Sequence, residues 1–397
     1  MPSGLRVLIV GSGAREHCLS TAYEKSPLVE TIIVTPGNDF MAFNRKKEVI
    51  VDKNSKLTDS TSILEVAQTH HVDLVDVAQD DALAAGTVDV LRAHGFKVFG
   101  PTQEAARLEW DKQWSREFMQ RNGIPTPSYH AFSNPIEAKA HLAHAYAQNE
   151  NGLYYIKATG LCAGKGALKT TSLPQAYQHV DEMAQFGEAG KTFLVEEGLQ
   201  GEEYSTYAIS DGNSYQILPS AQDHKTLNAF DEGPQTGGMG TYSPVQVVKG
   251  KEKEIEEKQI NPVVKGMQVE GHPYCGIIYV GGMVTEKGIN TIEYNSRWGD
   301  PECQVVVPGI KTDYADLILH CVEGKLNELK VETDGKTRVC VVGASRGYPG
   351  DYSEVKGKPI MGLEEAAACK GVQLFGAGMA WKEGKWVANG GRLLSVV

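Results

Sequence analysis

Residues 292–302, which read IEYNSRWGDPE, carry the most specific signal in the sequence. Glu293 and Asn295 alternate on a predicted β-strand, so both side chains should point to one face. A carboxylate beside an amide oxygen, with room for water and phosphate oxygens, suits a magnesium ion. Arg297 falls on the same face and could hold a phosphoryl group or a carboxylate through two hydrogen bonds. A polar strand edge with satisfied hydrogen bonds is the simpler interpretation, but it accounts less well for a carboxylate, an amide and an arginine on one face.

A glycine-rich segment, KATGLCAGKG at residues 157–166, lies between two strand-like runs. It lacks the spacing of a P-loop. The backbone amides of a glycine-rich hairpin can still cover phosphate groups, and Lys157 and Lys165 would neutralise their charge. A surface hairpin without function is the alternative, which the lysines and glycines together disfavour. The glycines of this loop are Gly160, Gly164 and Gly166.

The N-terminal third alternates predicted strands and helices, which indicates a parallel, doubly wound α/β sheet. Its first strand, residues 5–10, runs through a Gly-Ser-Gly turn into a helix that starts near Arg15. Such a helix start offers backbone amides to an anion. As a dinucleotide fingerprint the turn is incomplete, because Glu16 occupies the third glycine position. A plain tight turn is the alternative.

Three polar segments further along the chain are weaker signals. VEEGLQGEE at residues 195–203 is an acidic turn after an apolar strand, and its carboxylates could accept hydrogen bonds from an adenine amine and ribose hydroxyls. Acidic turns are usually solvated, so this segment alone decides little. Two further segments combine acidic, basic and neutral polar residues with glycine pairs: QDHK at 222–225 and DEGPQTGGMG at 231–240. This composition favours binding loops over loops that only connect secondary-structure elements.

Length and composition exclude several classes of protein. The chain has 397 residues, 41% hydrophobic and 22% charged, which is typical of a globular protein with two or three domains. No apolar run approaches the ~18 residues of a membrane span. The net charge of −11, without a basic run, argues against nucleic acid as the main partner. Seven cysteines without close pairs disfavour a disulfide framework or a zinc site and favour a cytoplasmic location.

In this order, the motifs resemble those of the glycinamide ribonucleotide synthetase (phosphoribosylamine–glycine ligase) family of the ATP-grasp superfamily. The matching stretches lie at residues 11–17, 99–102, 157–166, 222–225, 233–244, 293–302, 347–352 and 389–392. They span nearly the whole chain, and the ordered set is more specific than any one member. The resemblance implies a parallel doubly wound N-terminal domain (1–102), a two-part ATP-grasp domain (103–328, lid subdomain at about 124–195) and a short, mostly β C-terminal domain (329–397).

The resemblance also implies a reaction. ATP, glycine and 5-phosphoribosylamine would give glycinamide ribonucleotide, ADP and phosphate, a step of purine synthesis that uses Mg²⁺ or Mn²⁺. Ligases of this superfamily work through an acyl phosphate, which the amine then attacks. Such chemistry depends on positioning and charge neutralisation more than on covalent help from the protein. The oligomeric state is left open between a monomer and a homodimer.

On the ATP side, the resemblance assigns roles to several residues of this sequence. Glu293 and Asn295 match the metal ligands, and Lys112 and Lys157 match the positions that hold the α- and β-phosphates. The hairpin at 160–166 resembles the lid, which would protect the acyl phosphate from water. The residues that match the adenine and ribose contacts are Glu196, Glu197, Leu199 and Glu203.

Other residues match the reacting and substrate-binding positions. Arg297 is expected to stabilise the transferring phosphoryl group, with Lys225 and Asp223 as further catalytic candidates. Glycine and phosphoribosylamine would meet the N-terminal turn and the two polar loops. The candidate substrate contacts are Gly13, Arg15, Glu16, Asp80, His224, Asp231, Thr236, Gly237, Gly238 and Arg392.

The sequence departs from the family pattern mainly on the amine-substrate side. Residues 78–83 read AQDDAL where the family usually has GPEAPL, so Asp80 keeps the carboxylate with one methylene less. The family pattern also continues beyond the position of Val397, so the C-terminal domain is expected to be shortened. Further departures are Ala14, Trp110, Asp111 and Thr159.

Other functions stay open at this point. A diverged ATP-grasp carboxylate–amine ligase with a different amine would keep the same ATP half. A non-catalytic nucleotide-binding paralogue would have little need of the Glu293 and Asn295 pair. A dinucleotide-dependent oxidoreductase is the weakest alternative, because Glu16 interrupts the glycine fingerprint.

Overall fold

The computed structural model describes residues 4–162 and 165–397. In this part of the chain the strands form a five-stranded parallel sheet, a four-stranded and an eight-stranded antiparallel sheet, and a two-stranded hairpin. The predicted α/β architecture, with a parallel N-terminal sheet and a short β-rich C-terminal part, is confirmed. The residue limits of the three domains stay a prediction.

The N-terminal sheet is parallel throughout, with strand order β3-β2-β1-β4-β5. Its strands are β1 (Leu5–Gly11), β2 (Val29–Pro36), β3 (Glu48–Val51), β4 (Leu74–Val77) and β5 (Lys97–Phe99). The helices are α1 (Ala14–Lys25), α2 (Ser60–Thr69), α3 (Asp80–Ala84) and α4 (Thr87–Ala93). The apolar run in β1 is continuous because its two faces pack into different hydrophobic clusters.

The neighbouring strands β1 and β4 place two polar turns side by side. The carboxyl end of β1 leads into the turn at Gly13, and that of β4 leads into the turn before Asp80. Parallel strands end at one edge of the sheet, which is where ligands bind in such folds. The predicted substrate turns therefore share one edge.

Two helices follow the N-terminal sheet, α5 (Arg107–Trp110) and α6 (Lys112–Arg121). Asp111 separates them with non-helical backbone angles, and its carboxylate accepts a hydrogen bond from the Trp114 backbone N–H at 3.0 Å. Asp favours this capping role because its short side chain competes for backbone amides. The break starts α6 at Lys112.

The four-stranded sheet has the order β6-β9-β7-β8, and all its neighbours are antiparallel. Its strands are β6 (Tyr129–Phe132), β7 (Tyr154–Ala158), β8 (Ala167–Thr170) and β9 (Phe193–Glu197). Its helices are α7 (Pro135–Gln148), α8 (Leu173–Glu182) and α9 (Glu188–Lys191). The strand–loop–strand unit expected over 153–169 is the β7–β8 hairpin. We call this unit the lid sheet.

The eight-stranded sheet, order β14-β13-β10-β11-β12-β15-β19-β16, joins the middle of the chain to its C-terminal part. Its middle-region strands are β10 (Glu202–Asp211), β11 (Tyr215–Thr226), β12 (Gln235–Ser243), β13 (Cys275–Thr285) and β14 (Gly288–Asn295). The helices here are α10 (Glu252–Ile255), a π-helical turn (Glu256–Ile260), α11 (Asn261–Val269), α12 (Cys303–Val306) and α13 (Tyr314–Val322).

The C-terminal part extends this sheet through β15, which pairs with β12. Its elements are β15 (Arg338–Ala344), α14 (Leu363–Ala368), β16 (Leu374–Gly376), β17 (Met379–Lys382), β18 (Lys385–Ala388) and β19 (Arg392–Val396). A single hydrophobic cluster runs from Leu5 to Phe375, so the N-terminal and C-terminal parts pack on a common core.

The prediction of loops at 222–225 and 233–240 is wrong for most of these residues. Residues 222–225 lie in β11, and residues 235–240 lie in β12. The glycine pairs suggested a loop, but they allow close strand packing: a Cβ on Gly240 would lie 2.8 Å from the Cys340 carbonyl oxygen of β15.

Among the described residues, no helix is both long and apolar enough to cross a lipid bilayer.

Candidate active site

The turn after β1 is held by its own charged side chains. Glu16 accepts a hydrogen bond from the Gly13 backbone N–H at 2.6 Å and pairs with the Arg15 Nε at 2.5 Å. Arg15 also donates to the Trp298 carbonyl oxygen at 2.8 Å. Arg15 and Glu16 are buried, whereas Gly13 is partly exposed. Arg15 and Glu16, two of the predicted substrate residues, therefore stabilise the turn from within. Gly13 is the predicted substrate residue that the turn leaves partly accessible to solvent.

Arg297 lies between carboxylates from two other segments. Its Nη2 is 2.6 Å from a Glu109 oxygen and 3.8 Å from an Asp80 oxygen. Burial raises the pKa of Glu109 to about 7, although Arg297 opposes that effect. Glu109 also accepts a hydrogen bond from the Ser296 backbone N–H at 2.8 Å. The guanidinium is thus fixed by a buried acid in α5.

Sequence reasoning found Arg297 and Asp80 but missed Glu109. The residue sits in a helix rich in charges, without a motif around it. Glu109 and Arg297 become neighbours only because α5 packs against the end of β14 in the fold. The sequence pattern therefore carries no signal for the pairing of these two residues. The structure does bring Asp80 to Arg297, which keeps the altered 78–83 turn inside the candidate site.

Asp223 and Lys225 form a pair on one face of β11. The Lys225 Nζ lies 3.9 Å from an Asp223 oxygen and 3.6 Å from a Glu203 oxygen. Burial raises the pKa of Asp223 to about 6, Glu302 adds to this effect and Lys225 opposes it. The Asp223 carboxylate in turn raises the pKa of Lys225, which is therefore held as a cation.

His224 lies on the other face of the sheet from these two residues. Successive strand residues point to opposite faces, and the His224 ring stacks on Tyr242 with the ring centroids 6.3 Å apart. There it lines a groove of about 350 Å³ together with Val339 and Val341. The expectation that residues 222–225 act as one loop fails here because they form a strand.

The carboxylate of Glu293 faces a group of cations. Although burial opposes the effect, these cations hold the pKa of Glu293 below its usual range. The cations are Lys225, Lys112, Lys157 and Arg297. The Asn295 Oδ1 accepts a hydrogen bond from Arg297 at 3.4 Å.

Two oxygen donors on one strand suit a divalent cation that takes its other ligands from phosphate and water. In the part of the chain that the structure describes, no three His, Cys, Asp or Glu side chains are arranged to hold a metal ion. Glu293 and Asn295 therefore fit a cation shared with a bound nucleotide rather than an all-protein site.

Glu196 is engaged in buried ion pairs. Its carboxylate takes two hydrogen bonds from Arg116, at 2.7 and 2.9 Å, and lies 2.5 Å from the Lys157 Nζ. Burial alone would raise its pKa, but Arg116 and Lys157 lower the pKa of Glu196 to about 2. The residue is 1% exposed, and its hydrogen bonds with Arg116 tie the lid sheet to α6. The carboxylate of this predicted adenine contact is therefore engaged in ion pairs within the protein.

The remaining predicted adenine and ribose residues follow along the chain. Glu197 is exposed and accepts a hydrogen bond from the Ser128 hydroxyl at 2.8 Å. Leu199 lies half-buried in the connection from β9 to β10, and Glu203 lies at the start of β10. These residues therefore lie on the segment that joins the lid sheet to the eight-stranded sheet.

The loop between β7 and β8 is linked to α6. The Lys112 backbone N–H donates to the Thr159 carbonyl oxygen at 2.9 Å, where α6 begins. Gly160 packs so closely on Ala189 that an added Cβ would lie 2.8 Å from the Ala189 Cβ. Lys165 is exposed, and Gly166 is buried. Gly164 and the side chain of Asp231 lie outside the described residues.

The glycine pair of β12 meets the C-terminal part of the chain. Arg392 donates to the Gly237 carbonyl oxygen at 2.6 Å and to the Asp300 carbonyl oxygen at 2.8 Å. The Thr236 hydroxyl donates to the Lys225 carbonyl oxygen at 2.8 Å. Gly238 packs on Pro301 and Asp300. These predicted substrate residues lie together, next to the strand that carries Lys225.

The parallel N-terminal sheet, the lid sheet and the eight-stranded sheet all contribute side chains to this site, in which three lysines and an arginine act on the carboxylate of Glu293. This combination of fold and site defines an ATP-grasp enzyme. Family models described as the N domain, the ATP-grasp (A) domain and the C domain of phosphoribosylglycinamide synthetase match residues 5–109, 110–303 and 338–397. The chain belongs to the phosphoribosylglycinamide synthetase family.

Individual relatives agree with this assignment. The phosphoribosylamine–glycine ligase of Rhizobium meliloti is 41% identical over 395 residues, which cover 99% of this chain and 90% of that protein. The trifunctional purine biosynthetic protein adenosine-3 of Bos taurus is 42% identical over 396 residues. The match covers 98% of this chain but only 38% of the bovine protein. The chain thus spans well under half of this larger relative.

Solved structures show the same fold. The crystal structure of phosphoribosylamine–glycine ligase from Thermotoga maritima superposes with a TM-score of 0.80 at 32% identity, covering 98% of this chain and 91% of that one. The biotin carboxylase domain of the Hydrogenobacter thermophilus 2-oxoglutarate carboxylase has a TM-score of 0.71 at 15% identity, covering 100% and 86% of the two chains. The second likeness concerns the fold alone.

Proposed function

We propose that this protein is an ATP-dependent ligase that joins glycine to 5-phosphoribosylamine and forms glycinamide ribonucleotide, ADP and phosphate. The observation that carries the proposal is that a chain of this family has two clusters of charged side chains, which share Arg297. One is the set of cations around Glu293, which suits a polyphosphate. The other is the cluster of Arg297, Glu109 and Asp80 at the edge of the N-terminal sheet, which suits a phosphorylated amine. The reaction would belong to purine synthesis in the cytoplasm.

In the first step, a carboxylate oxygen of glycine attacks the γ-phosphorus of ATP, and the bond to the bridging oxygen breaks to release ADP. The negative charge of the phosphates requires cations on several sides. Lys112 and Lys157 supply two of them, and Lys157 is held in place by Glu196. A Mg²⁺ or Mn²⁺ ion on Glu293 and Asn295 would neutralise phosphate charge when bound.

In the second step, the amine nitrogen of phosphoribosylamine attacks the carbonyl carbon of glycyl phosphate, and phosphate leaves as the amide forms. The amine loses one proton in this step, and the departing phosphate takes it up and leaves as hydrogen phosphate. Arg297 would stabilise the departing phosphate, and the contact of its guanidinium with Glu109 supports this role. Asp80, 3.8 Å from Arg297, would orient the amine substrate at the end of β4.

The intermediate must be kept from water, since hydrolysis of glycyl phosphate would waste ATP. The β7–β8 hairpin of the lid sheet carries Lys157, one of the cations that act on Glu293, and is connected to α6 through Lys112 and Thr159. We infer that this hairpin covers the phosphates during the reaction.

ADP formation with each substrate omitted in turn tests the proposal. Purified protein with ATP, magnesium and glycine should release ADP rapidly only when phosphoribosylamine, generated in situ, is present. The product should have the mass of glycinamide ribonucleotide. ADP release that does not depend on phosphoribosylamine would contradict the proposal and favour a diverged ligase with another amine. No ADP release under any condition would favour a nucleotide-binding paralogue.

A further inference from the structure

The backbone of Gly237 is held on both sides by the C-terminal part of the chain. Its N–H donates a hydrogen bond to the hydroxyl of Tyr348 at 2.9 Å. Its carbonyl oxygen accepts one from Arg392 at 2.6 Å. Tyr348 lies in the GYPGDY segment after β15, to which the reaction described above gives no role.

The surrounding glycines are required for this contact. A Cβ on Gly237 would lie 3.2 Å from the Arg392 guanidinium carbon and 3.3 Å from the Tyr348 hydroxyl. A Cβ on Gly391 would lie 2.5 Å from the ring of Tyr348. Two unrelated positions thus lack side chains where the Tyr348 ring and hydroxyl approach the backbone.

The held peptide is connected to both halves of the candidate site. Gly238 N–H donates to the Thr236 hydroxyl at 3.0 Å, and that hydroxyl donates to the carbonyl oxygen of Lys225 at 2.8 Å. In the other direction, Arg392 pairs with Asp300 at 3.5 Å. A Cβ on Gly13 would lie 3.1 Å from the Asp300 carboxylate, so the N-terminal turn is adjacent.

Without these two hydrogen bonds, the backbone of Gly237 would be less constrained, although Gly238 would still be held by Thr236. Glycine loses more conformational freedom than any other residue when its backbone is fixed. Holding the N–H and the carbonyl of Gly237 fixes the two peptide groups that flank its Cα, and so restricts that freedom before a substrate binds. Such preorganisation improves the binding of whichever substrate the segment faces.

We propose that Tyr348 is a positioning residue for phosphoribosylamine, which it helps to bind by holding the backbone of Gly237 on Arg392, whose partner Asp300 adjoins the N-terminal turn. This inference rests on the proposed function above. The connection from Tyr348 to Lys225 runs through Thr236 and ends at the backbone carbonyl of Lys225, not at its ammonium group, so the ATP half of the site should be independent of the Tyr348 hydroxyl. The effect should therefore appear in the KM for phosphoribosylamine and leave the KM for ATP unchanged.

The test is the Tyr348→Phe variant, which keeps the ring against Gly391 and removes only the hydroxyl. Loss of one hydrogen bond that orders a binding segment should raise the KM for phosphoribosylamine about three- to tenfold. The kcat and the KM for ATP should stay within about twofold of the wild type. Tyr352→Phe is the matched control, because Tyr352 lies in the same segment and also packs near Gly391. It should leave all three constants unchanged.

Hydrogen exchange of the Gly237 amide gives a readout that does not depend on catalysis. This amide should exchange faster in Tyr348→Phe than in the wild type, and Tyr352→Phe should not alter it. An active wild type with an unchanged KM for phosphoribosylamine in Tyr348→Phe would overturn the inference, as would an equal rise in the KM for ATP. An inactive wild type would instead refute the proposed function, and the role of Tyr348 in substrate binding with it.

Discussion

The ion pairs of Glu196 allow a quantitative prediction about stability. Arg116 and Lys157 hold the pKa of this buried carboxyl at about 2, against an ordinary value of 4.5. That difference, at about 1.4 kcal/mol for each pH unit, corresponds to about 3 kcal/mol of folding free energy at pH 7. The figure agrees with the 3–5 kcal/mol roughly expected when one partner of a buried pair is removed. Glu196→Gln should therefore lose about 3 kcal/mol of stability at pH 7.

The stabilisation by the Glu196 ion pairs should decrease as the pH falls. The folded-state pKa is depressed, so the stabilisation is fully present above pH 4.5 and is lost as the pH falls towards about 2. Urea denaturation at pH 7 and at about pH 3.5 should show a smaller difference between the variant and the wild type at the lower pH.

Glu197→Gln is the matched control for this experiment. Glu197 is the next residue of β9, is exposed, and accepts a hydrogen bond from Ser128. Its substitution should change stability by less than about 0.5 kcal/mol. A Glu196→Gln variant within about 1 kcal/mol of the wild type at pH 7 would refute the reasoning, because it would show that the buried pairs do not hold the lid sheet to α6.

Other predictions concern catalysis. Glu293→Gln should lower kcat at least about 100-fold, since it removes a proposed metal ligand, and should change stability by less than about 1 kcal/mol. Activity assays and urea denaturation measure the two effects. A large loss of stability would mean that Glu293 has a structural role. Glu109→Gln should lower kcat/KM for phosphoribosylamine about tenfold or more, because Arg297 loses its partner at 2.6 Å; an unchanged value would contradict the role of Glu109. Asp80→Asn should raise the KM for phosphoribosylamine, whereas Asp81→Asn in the same turn, with an exposed side chain, should not; equal effects in steady-state assays would exclude a specific role for Asp80.

Features set by local chemistry could be predicted from the sequence. The apolar run of β1 and the Gly-Ser-Gly turn after it predicted a parallel sheet with a binding edge, because strand burial and turn geometry depend on neighbouring residues. The alternation of Glu293 and Asn295 likewise placed both on one strand, which the structure has as β14.

Features set by distant contacts could not be predicted in this way. Residues 222–225 were expected to form a loop, and only their pairing with β12 makes them a strand, which turns His224 away from Asp223. Glu109 acquires its role only when α5 packs against the end of β14. The pairing of Tyr348 with Gly237 joins residues 111 positions apart and has no signature in either segment.

The most direct test of the proposed ligase is the fate of isotope from glycine. Glycine labelled with ¹⁸O in both carboxylate oxygens would be supplied with ATP, magnesium and phosphoribosylamine, and the inorganic phosphate would be analysed by mass spectrometry. Formation and breakdown of glycyl phosphate transfer one carboxylate oxygen to the phosphate. We therefore predict one ¹⁸O atom per molecule of phosphate, in step with the formation of glycinamide ribonucleotide. Unlabelled phosphate from an enzyme that still consumes ATP would contradict the account.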